Sequence, residues 1–415
     1  MEMTGLAVLA AVVVLVALHM PVALSLILPG AIGLAVLGAG GQIPDQLWAL
    51  LAAPDLAAVP LVLLLGNIAF HGGYATQLHD AAAVLLQGRR GGLALASILG
   101  CAGFAATSGS SVACAATMGR IAVPAMGQAG YDPRLAGSSV AIGSTLGALL
   151  PPSMLLILWA LLTGTPLAQM FMGALLPAAL SLAGMVATVL WWVRRDLEAG
   201  PPAQILQVPR SMAVQAAWPA PVLLAILLGG IGFGLLSPVA ALGLSAGVML
   251  ALALGNGRLT GETLLSVLRD SILQAAITLL MLAGARLVLT AMDLSGLPGM
   301  LAVEAGALPL LVAVMLLGLA CIVLGLLAEP ALILILALPF ALGIGAAHGP
   351  GPVWSGIVLI KLVEIALILP PLGLNAVVVA TAARIHPQAV FAGLGRFLFL
   401  DLLVLTALVM FPALA

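Results

Sequence analysis

The sequence contains very little charge. Of its 415 residues, 7% are Asp, Glu, Lys or Arg, the net charge is −1, and Lys361 is the single lysine. Nucleic-acid binding needs clustered basic residues, and a P-loop needs a Gly-rich turn that ends in Lys-Ser or Lys-Thr. Because Lys361 is followed by leucine, the chain has no P-loop of its own. The net charge of −1 gives no reason to expect nucleic acid as a partner.

Cysteine and histidine are also scarce. The three cysteines lie in apolar stretches without CxxC spacing, and the five histidines are scattered, so neither a disulfide nor a metal cluster is expected. The nucleophile motif GxSxG and the zinc motif HExxH are missing from the sequence. An intramembrane enzyme therefore remains a remote alternative, and no cofactor is expected beyond a coupling ion.

Apolar residues dominate the composition. They make up 63% of the chain, and the mean hydropathy is +1.29. These values predict an all-α polytopic membrane protein. The first residues lack a basic n-region, which favours a retained membrane segment over a cleaved signal peptide. The apolar stretch 6–37 is interrupted at His19-Met20-Pro21, so it forms either two short spans or one long kinked span.

Residues 91–127 have the pattern of a re-entrant hairpin. Two apolar arms of about 15 residues flank the polar tip Ser108-Gly109-Ser110-Ser111. A helix needs roughly 20 residues to cross a bilayer, so each arm suits a helix that reaches mid-membrane and returns. Hydroxyl and backbone groups at that depth are tolerated inside protein or beside an aqueous cavity.

Residues 135–163 predict a membrane helix that is broken by Pro151-Pro152-Ser153. Proline has no N–H, so the carbonyls of Gly147 and Ala148 lose their helical donors. A kink between packed helices would explain one proline. Two interruptions that face each other, the tip and the proline pair, favour a binding site.

The same layout recurs later in the chain. A shift of 219 positions carries Gly130 to Gly349, Pro151-Pro152 to Pro370-Pro371, and Ser110 to Glu329. The sequence therefore predicts two homologous halves, 1–195 and 212–415, joined by a connector at 196–211. The second half would contain a hairpin at 304–347 and a broken helix at 353–381.

Arginines orient these halves. Those outside the apolar segments fall mostly in loops that the repeat places on one side, which the positive-inside rule makes cytoplasmic. The first hairpin then enters from the cytoplasm and the second from outside, so the repeats are inverted. The connector is predicted to be cytoplasmic.

The two breaks have the composition of sites for a hard monovalent cation. Neutral hydroxyl, carbonyl and amide oxygens suit such an ion better than a transition metal. We therefore predict Na⁺ at both helix breaks. The candidate ligands are Ser108, Gly109, Ser110, Ser111, Gly147, Ala148, Pro151, Pro152, Ser153, Glu329, Ala366, Leu367, Pro370, Pro371 and Asn375.

Charged residues inside apolar segments usually face a partner or a cavity. Lys361 and Glu364 stand three positions apart on one predicted helix face, so they could form an ion pair, or Lys361 could meet an acidic substrate. Arg286 could anchor the scaffold or bind a carboxylate. Glu329 could bind an ion or substrate, or bond to the tip backbone, and Asn375 could bind or simply pack.

Three motifs resemble the large membrane subunit of the tripartite ATP-independent periplasmic (TRAP) transporters. They are FAATSGSSVACAATMG at 104–119, AGYDPRLAG at 129–137 and GSTLGALLPPS at 143–153, with PPLGLN at 370–375 as the second-half counterpart. The chain departs from the family pattern at Leu369, where a threonine is usual.

This resemblance implies an elevator-type, Na⁺-coupled importer of organic acids in the bacterial inner membrane. It also implies two partners, a small membrane subunit and a periplasmic solute-binding protein. A solitary elevator-type carrier of organic anions is the alternative.

Overall fold

The computed structural model describes residues 2–202, 211 and 218–414, and within these residues it is all-α, with no β-strand. In the first half the helices are α1 Glu2–Ala17, α2 Val22–Val36, α3 Ile43–Leu51, α4 Ala58–His71, α5 Tyr74–Leu86, α6 Gly92–Ser108, α7 Ser111–Gln128, α8 Pro133–Ser144, α9 Leu146–Leu149, α10 Met154–Thr163, α11 Leu167–Gly173 and α12 Leu175–Arg195.

The described part of the second half is also helical, and a π-helical turn lies between its first two helices. They are α13 Pro219–Leu224, α14 Gly230–Gly232, α15 Pro238–Gly255, α16 Gly261–Ser295, α17 Leu297–Gly306, α18 Leu310–Leu324, α19 Pro330–His348, α20 Gly351–Ala366, α21 Leu374–Ala383 and α22 Pro387–Met410. Seven helical segments of the described residues are long and apolar enough to cross a membrane: Pro54–His71, Pro133–Thr163, Leu167–Arg195, Pro238–Gly255, Gly261–Ser295, Pro330–His348 and Pro387–Met410.

The first apolar stretch forms two helices, which answers the question that the sequence left open. Helix α1 ends at Ala17 and α2 begins at Val22. Between them His19 adopts a left-handed conformation with φ of 62°, and Pro21 precedes α2. Each helix has 16 residues or fewer, which is shorter than the roughly 20 residues of a full span.

Helices α6 and α7 form the first hairpin, which we call hairpin 1. Gly109 ends α6 with a positive φ of 62°, and its N–H donates to the Ala105 carbonyl at 3.0 Å. Glycine adopts this conformation without a Cβ penalty, which is why it ends so many helices. Ser110 then caps α7, because its hydroxyl accepts from the Ala113 N–H at 3.3 Å.

The second hairpin, hairpin 2, differs from the predicted boundaries. The sequence predicts this hairpin over 304–347, but α17 ends at Gly306 and α18 begins only at Leu310. Pro309 precedes α18 and cannot donate a helical hydrogen bond, so the helix restarts there. Hairpin 2 therefore consists of α18 and α19, and its tip lies at residues 325–329.

Both broken helices stop at their proline pairs. In the first, α8 and α9 lead to the break and α10 leaves it; in the second, α20 leads in and α21 leaves. The bonds Pro151-Pro152 and Pro370-Pro371 are both cis. The predicted range 135–163 extends two residues further at its start, since Pro133 begins α8 after the N-cap Asp132.

The two sequence halves interleave. Helix α7 of hairpin 1 packs along α21, and α8 packs along α22. The long helix α16 packs along α1, α2 and α4. Elements of one half thus complete the packing of the other, and this brings side chains far apart in sequence to the same place.

Most of the predicted connector, 203–210, lies outside the described residues, as does the predicted start of the second half at 212–217. The first residues of the connector bond to the start of hairpin 1 and to the N-cap of α8. The Gly91 N–H donates to the Gly200 carbonyl at 2.9 Å, and the Asp132 N–H donates to the Ala199 carbonyl at 3.0 Å. Gly200 is buried there.

Candidate substrate and ion site

The structure brings the tip of hairpin 1 against the first proline break. The Met154 N–H, just after the break, donates to the Gly109 carbonyl at 3.0 Å. On the other side of the break, Gly147 lies so close that a Cβ there would stand 2.8 Å from the Ser110 carbonyl carbon. The predicted meeting of tip and break is therefore a direct backbone contact.

Two of the predicted free carbonyls already have donors, which corrects the sequence interpretation. The Ser153 hydroxyl donates to the Ala148 carbonyl at 2.6 Å, and the Asn375 N–H donates to the Leu367 carbonyl at 2.9 Å. In each case a group just beyond the break replaces the lost helical donor. A carbonyl oxygen has two lone pairs, so each retains capacity for a cation.

Both hairpin tips line one cavity of about 600 Å³, which we call the tip cavity. The sequence predicted one pocket in each half, and the structure joins the two tips instead. From the predicted set, the cavity is lined by Ser108, Gly109, Ser110, Ser111, Ala148 and Glu329. Leu374, at the start of α21 just after the second break, also lines the cavity.

Polar residues that the sequence interpretation did not assign to the site also line the tip cavity. Asn67 donates from Nδ2 to Ser271 Oγ and to Gln274 Oε1, both at 3.0 Å, and so links α4 to α16. Arg120, exposed, donates from Nε to the Ala116 carbonyl at 3.2 Å. Arg120 is the sole basic residue between 91 and 127, which is the sequence signal that could have identified it.

Several buried polar atoms around the tips lack a hydrogen-bond partner among the described residues. They are Ser108 Oγ, Glu364 Oε2, and Asn375 Oδ1 and Nδ2. Buried polar groups are rarely left unsatisfied, so such atoms indicate a ligand, an ion or water. The oxygen atoms in this set are the ligand type that a hard monovalent cation prefers.

The predicted ion pair between Lys361 and Glu364 is not formed. Lys361 Nζ instead contacts the Asp401 carboxylate on α22 and donates to Ser181 Oγ on α12 at 2.9 Å. All four side chains of this region are buried, with Lys361 and Glu364 both 0% exposed. Lys361 therefore has a structural partner and is not available as a free cation for an acidic substrate.

Glu364 meets hairpin 1. The Ser111 hydroxyl donates to Glu364 Oε1 at 2.9 Å, which connects the first tip to the second broken helix. Sequence spacing could not predict this contact, because the two residues lie on different halves.

Arg286 lies outside the tip cavity. It lines a separate cavity of about 750 Å³, the Arg286 cavity, together with Gln46, Thr290 and Asp293. Its Nε donates to Gln46 Oε1 at 3.2 Å, and a terminal nitrogen donates to the Leu162 carbonyl at 3.4 Å. Arg286 thus anchors α16 to α10 in this structure.

One known protein family matches nearly the whole chain. The family model described as "Tripartite ATP-independent periplasmic transporter, DctM component" matches residues 9–414. The chain belongs to this family. The resemblance carried by the hairpin and proline motifs is confirmed.

The names of similar proteins contain several different substrates. The chain is 28% identical to the C4-dicarboxylate TRAP transporter large permease protein DctM of Pseudomonas aeruginosa, over 86% of this chain and 84% of that protein. It is 27% identical to the sialic acid TRAP transporter large permease protein SiaM of Vibrio cholerae, with the same coverage. It is 26% identical to the isethionate TRAP transporter permease protein DctMQ of Oleidesulfovibrio alaskensis, over 88% of this chain and 58% of that protein.

A solved structure shares the fold. The crystal structure of the Alcanivorax borkumensis YdaH transporter superimposes with a TM-score of 0.61 over 89% of this chain and 86% of that chain, at 18% identity. Because it belongs to the family named above, the chain is a multi-pass TRAP permease, the substrate-translocating subunit of a transporter that depends on a periplasmic binding protein. It is a transporter and not an enzyme.

Proposed function

We propose that this TRAP permease imports a small organic acid across the bacterial inner membrane and that a Na⁺ gradient drives the import. The supporting observation is the tip cavity, where both hairpin tips line one space together with hydroxyl and amide groups, the carboxyl groups of Asp270 and Glu329, and the guanidinium of Arg120. Neutral oxygens suit Na⁺, and Arg120 suits a carboxylate. The names of the relatives include a C4-dicarboxylate and sialic acid, which are anions of this class.

In this proposal Na⁺ occupies both helix breaks. At the first break the ligands are the tip hydroxyls of Ser108 and Ser110 with the carbonyls of Gly147 and Ala148. At the second break they come from the Glu329 tip, the carbonyls of Ala366 and Leu367, and the Asn375 amide. Bound Na⁺ would offset part of the negative charge of the substrate and hold the tips closed over it.

The long helix α16 supports an elevator movement between inverted halves. One stretch of it lines the tip cavity and the next lines the Arg286 cavity. The first stretch contributes Asp270, Gln274, Ile277, Thr278 and Met281, and the second contributes Arg286, Leu289, Thr290 and Asp293. We propose that the hairpins slide along this face of α16, so that the tips line first one cavity and then the other.

The proposal includes two partners, a small membrane subunit and a periplasmic solute-binding protein that delivers the substrate. It is tested in liposomes that contain the permease with both partners. Uptake is expected with an inward Na⁺ gradient and is expected to vanish when K⁺ replaces Na⁺ at constant pH. Uptake that follows a pH gradient without Na⁺ would contradict Na⁺ coupling. Efficient uptake by the permease alone would favour a solitary carrier.

A further inference from the structure

Arg286 is a cation in a membrane helix that pairs with no acidic side chain of the described residues. It lies within α16 and lines the Arg286 cavity. No salt bridge in the described part of the chain includes it. Asp293 interacts with its charge electrostatically but does not form a salt bridge with it. A charge inside the membrane is costly and usually marks a site for a substrate or an ion.

Neutral groups hold the guanidinium of Arg286 in place. Its Nε donates to Gln46 Oε1 at 3.2 Å, and a terminal nitrogen donates to the Leu162 carbonyl at 3.4 Å. A guanidinium has five N–H groups, and these two bonds leave the others without an acceptor among the described residues. The protein therefore orients the positive charge without neutralising it.

Gln46 brings further donors to the same cavity. Its Oε1 accepts from Arg286 and, at 3.2 Å, from the Thr290 hydroxyl. Because Arg286 Nε can only donate, the amide must turn its oxygen toward Arg286, and its NH₂ group is left without an acceptor among the described residues. Gln46 and Arg286 thus offer unused N–H donors in one cavity, which is the arrangement that binds a carboxylate.

Asp293 gives the other end of the cavity a negative charge. It is exposed and lines the Arg286 cavity. It follows Arg286 by seven positions on the same helix, which corresponds to about 10 Å along the axis. A carboxylate accepts hydrogen bonds from hydroxyl groups and repels a second carboxylate. The cavity is therefore suited to an acid with one carboxylate and several hydroxyl groups.

The tip cavity contains the same kinds of polar group. They are the guanidinium of Arg120, the carboxyl groups of Asp270 and Glu329, the hydroxyl of Thr278, and the amides of Asn67 and Gln274. A substrate that passes from one cavity to the other would find similar partners in both. The position also fits, because hairpin 2 is predicted to enter the membrane from outside and Ala346, near the end of α19, lines the Arg286 cavity.

We propose that the Arg286 cavity is a second substrate site, in which Arg286 and Gln46 bind the carboxylate of a hydroxylated organic acid. The acid would bind there on the periplasmic side, before the hairpin tips enclose it. This inference rests on the proposed function in taking the substrate to be an organic acid.

Chemical modification of arginine by phenylglyoxal tests the site on the purified transporter complex, with each arginine followed by mass spectrometry of its peptide. Gluconate is the probe, and adipate, a dicarboxylate with the same number of carbons, is the matched comparison. Saturating gluconate should slow modification of Arg286 about tenfold, and adipate should protect it much less. Arg90, which is exposed, should react equally fast with and without either acid. Equal rates at Arg286 with and without gluconate would overturn the proposal.

Two variants separate binding from anchoring. Gln46→Glu keeps an acceptor for Arg286 and Thr290 but places a carboxylate beside the guanidinium, so it should fold normally and abolish protection by gluconate. Gln388→Glu makes the same change at an exposed position and should retain protection. Asp293→Asn removes the repelling charge and should let adipate protect Arg286 as well as gluconate does. Persistent protection in Gln46→Glu, or unchanged weak protection by adipate in Asp293→Asn, would contradict the site.

A lipid headgroup is the other source of an anion at this depth. Protection of Arg286 by phosphatidylglycerol in mixed micelles, with none by gluconate, would assign the cavity to lipid and overturn the proposal. Arg120 is followed in the same experiment. Protection of Arg120 without protection of Arg286 would remove the second site and leave the proposed function intact, so the two failures are distinguishable.

Discussion

Gly147 stands directly against the backbone of Ser110, and a Cβ on Gly147 would lie 2.8 Å from the Ser110 carbonyl carbon. Gly147→Ala should therefore push the tip away from the break. Overpacking of this kind costs about 1–3 kcal/mol, and the displaced tip should abolish most Na⁺-dependent uptake. Uptake and thermal unfolding of the complex measure the two effects.

Gly247→Ala is the matched control, because a Cβ at that membrane helix position meets nothing within 4 Å. It should leave uptake and thermal stability close to wild type. Equal uptake by Gly147→Ala and Gly247→Ala would show that the contact between tip and break is unimportant for transport.

Ser110 has two separable roles, as the N-cap of α7 and as a proposed Na⁺ ligand. Replacing an N-cap serine by glycine costs only a few tenths of a kcal/mol, whereas alanine costs about 1 kcal/mol. Ser110→Gly should therefore fold normally but raise the Na⁺ concentration for half-maximal uptake about tenfold, equivalent to roughly 1.4 kcal/mol. Ser237→Gly is the control, since Ser237 caps α15 in the same way. An unchanged Na⁺ requirement in Ser110→Gly would remove Ser110 from the ion site.

The buried ion pair of Lys361 and Asp401 predicts that a second substitution can restore the stability lost by the first. Lys361→Met leaves Asp401 without its counter-charge and should cost about 3–5 kcal/mol, measured as a large fall in the apparent melting temperature. Adding Asp401→Asn removes the stranded charge and should restore much of the stability. Arg134→Met breaks the exposed pair with Asp132 and should cost less than about 1 kcal/mol. Failure of the double variant to recover would mean that Lys361 matters for another reason.

Local features of the sequence predicted the elements that form the site. The polar run at 108–111, with Gly109, predicted the position of the first tip, and each Pro-Pro pair predicted the position of a helix break. These predictions were possible because helix capping and proline act on the backbone within a few residues. The division of the first apolar stretch and the restart at Pro309 were not resolved by the same reasoning. Apolar composition alone does not distinguish one kinked helix from two.

Contacts between distant segments could not be predicted from spacing. Asp401 lies 40 positions from Lys361, and Ser111 lies 253 positions from Glu364. The i, i+3 rule identifies neighbours on one helix but not which helices pack together. The interleaving of the halves also joined two predicted pockets into one tip cavity, which no pattern within a single half could show.

The orientation of the chain remains a prediction and has a direct test. Glu198 is exposed at the start of the connector, whereas Gly200 is buried against Gly91 and is unsuitable for labelling. Glu198→Cys should resist impermeant thiol reagents in intact spheroplasts and react after lysis. The three native cysteines are buried, so background labelling should be low. Ready labelling from outside would reverse the predicted orientation of the chain.

Arg120 is expected to hold the carboxylate of the substrate in the tip cavity. A hydrogen bond to a charged group contributes about 1.5–3 kcal/mol, so Arg120→Gln should raise the KM for substrate-loaded binding protein roughly 10- to 100-fold. Arg120→Lys keeps the charge and should recover part of the loss, although lysine cannot match the paired geometry of a guanidinium. Arg90→Gln, a change at an exposed residue in the loop before hairpin 1, should leave KM unchanged. A normal KM in Arg120→Gln would show that the substrate's negative charge is met elsewhere in the cavity.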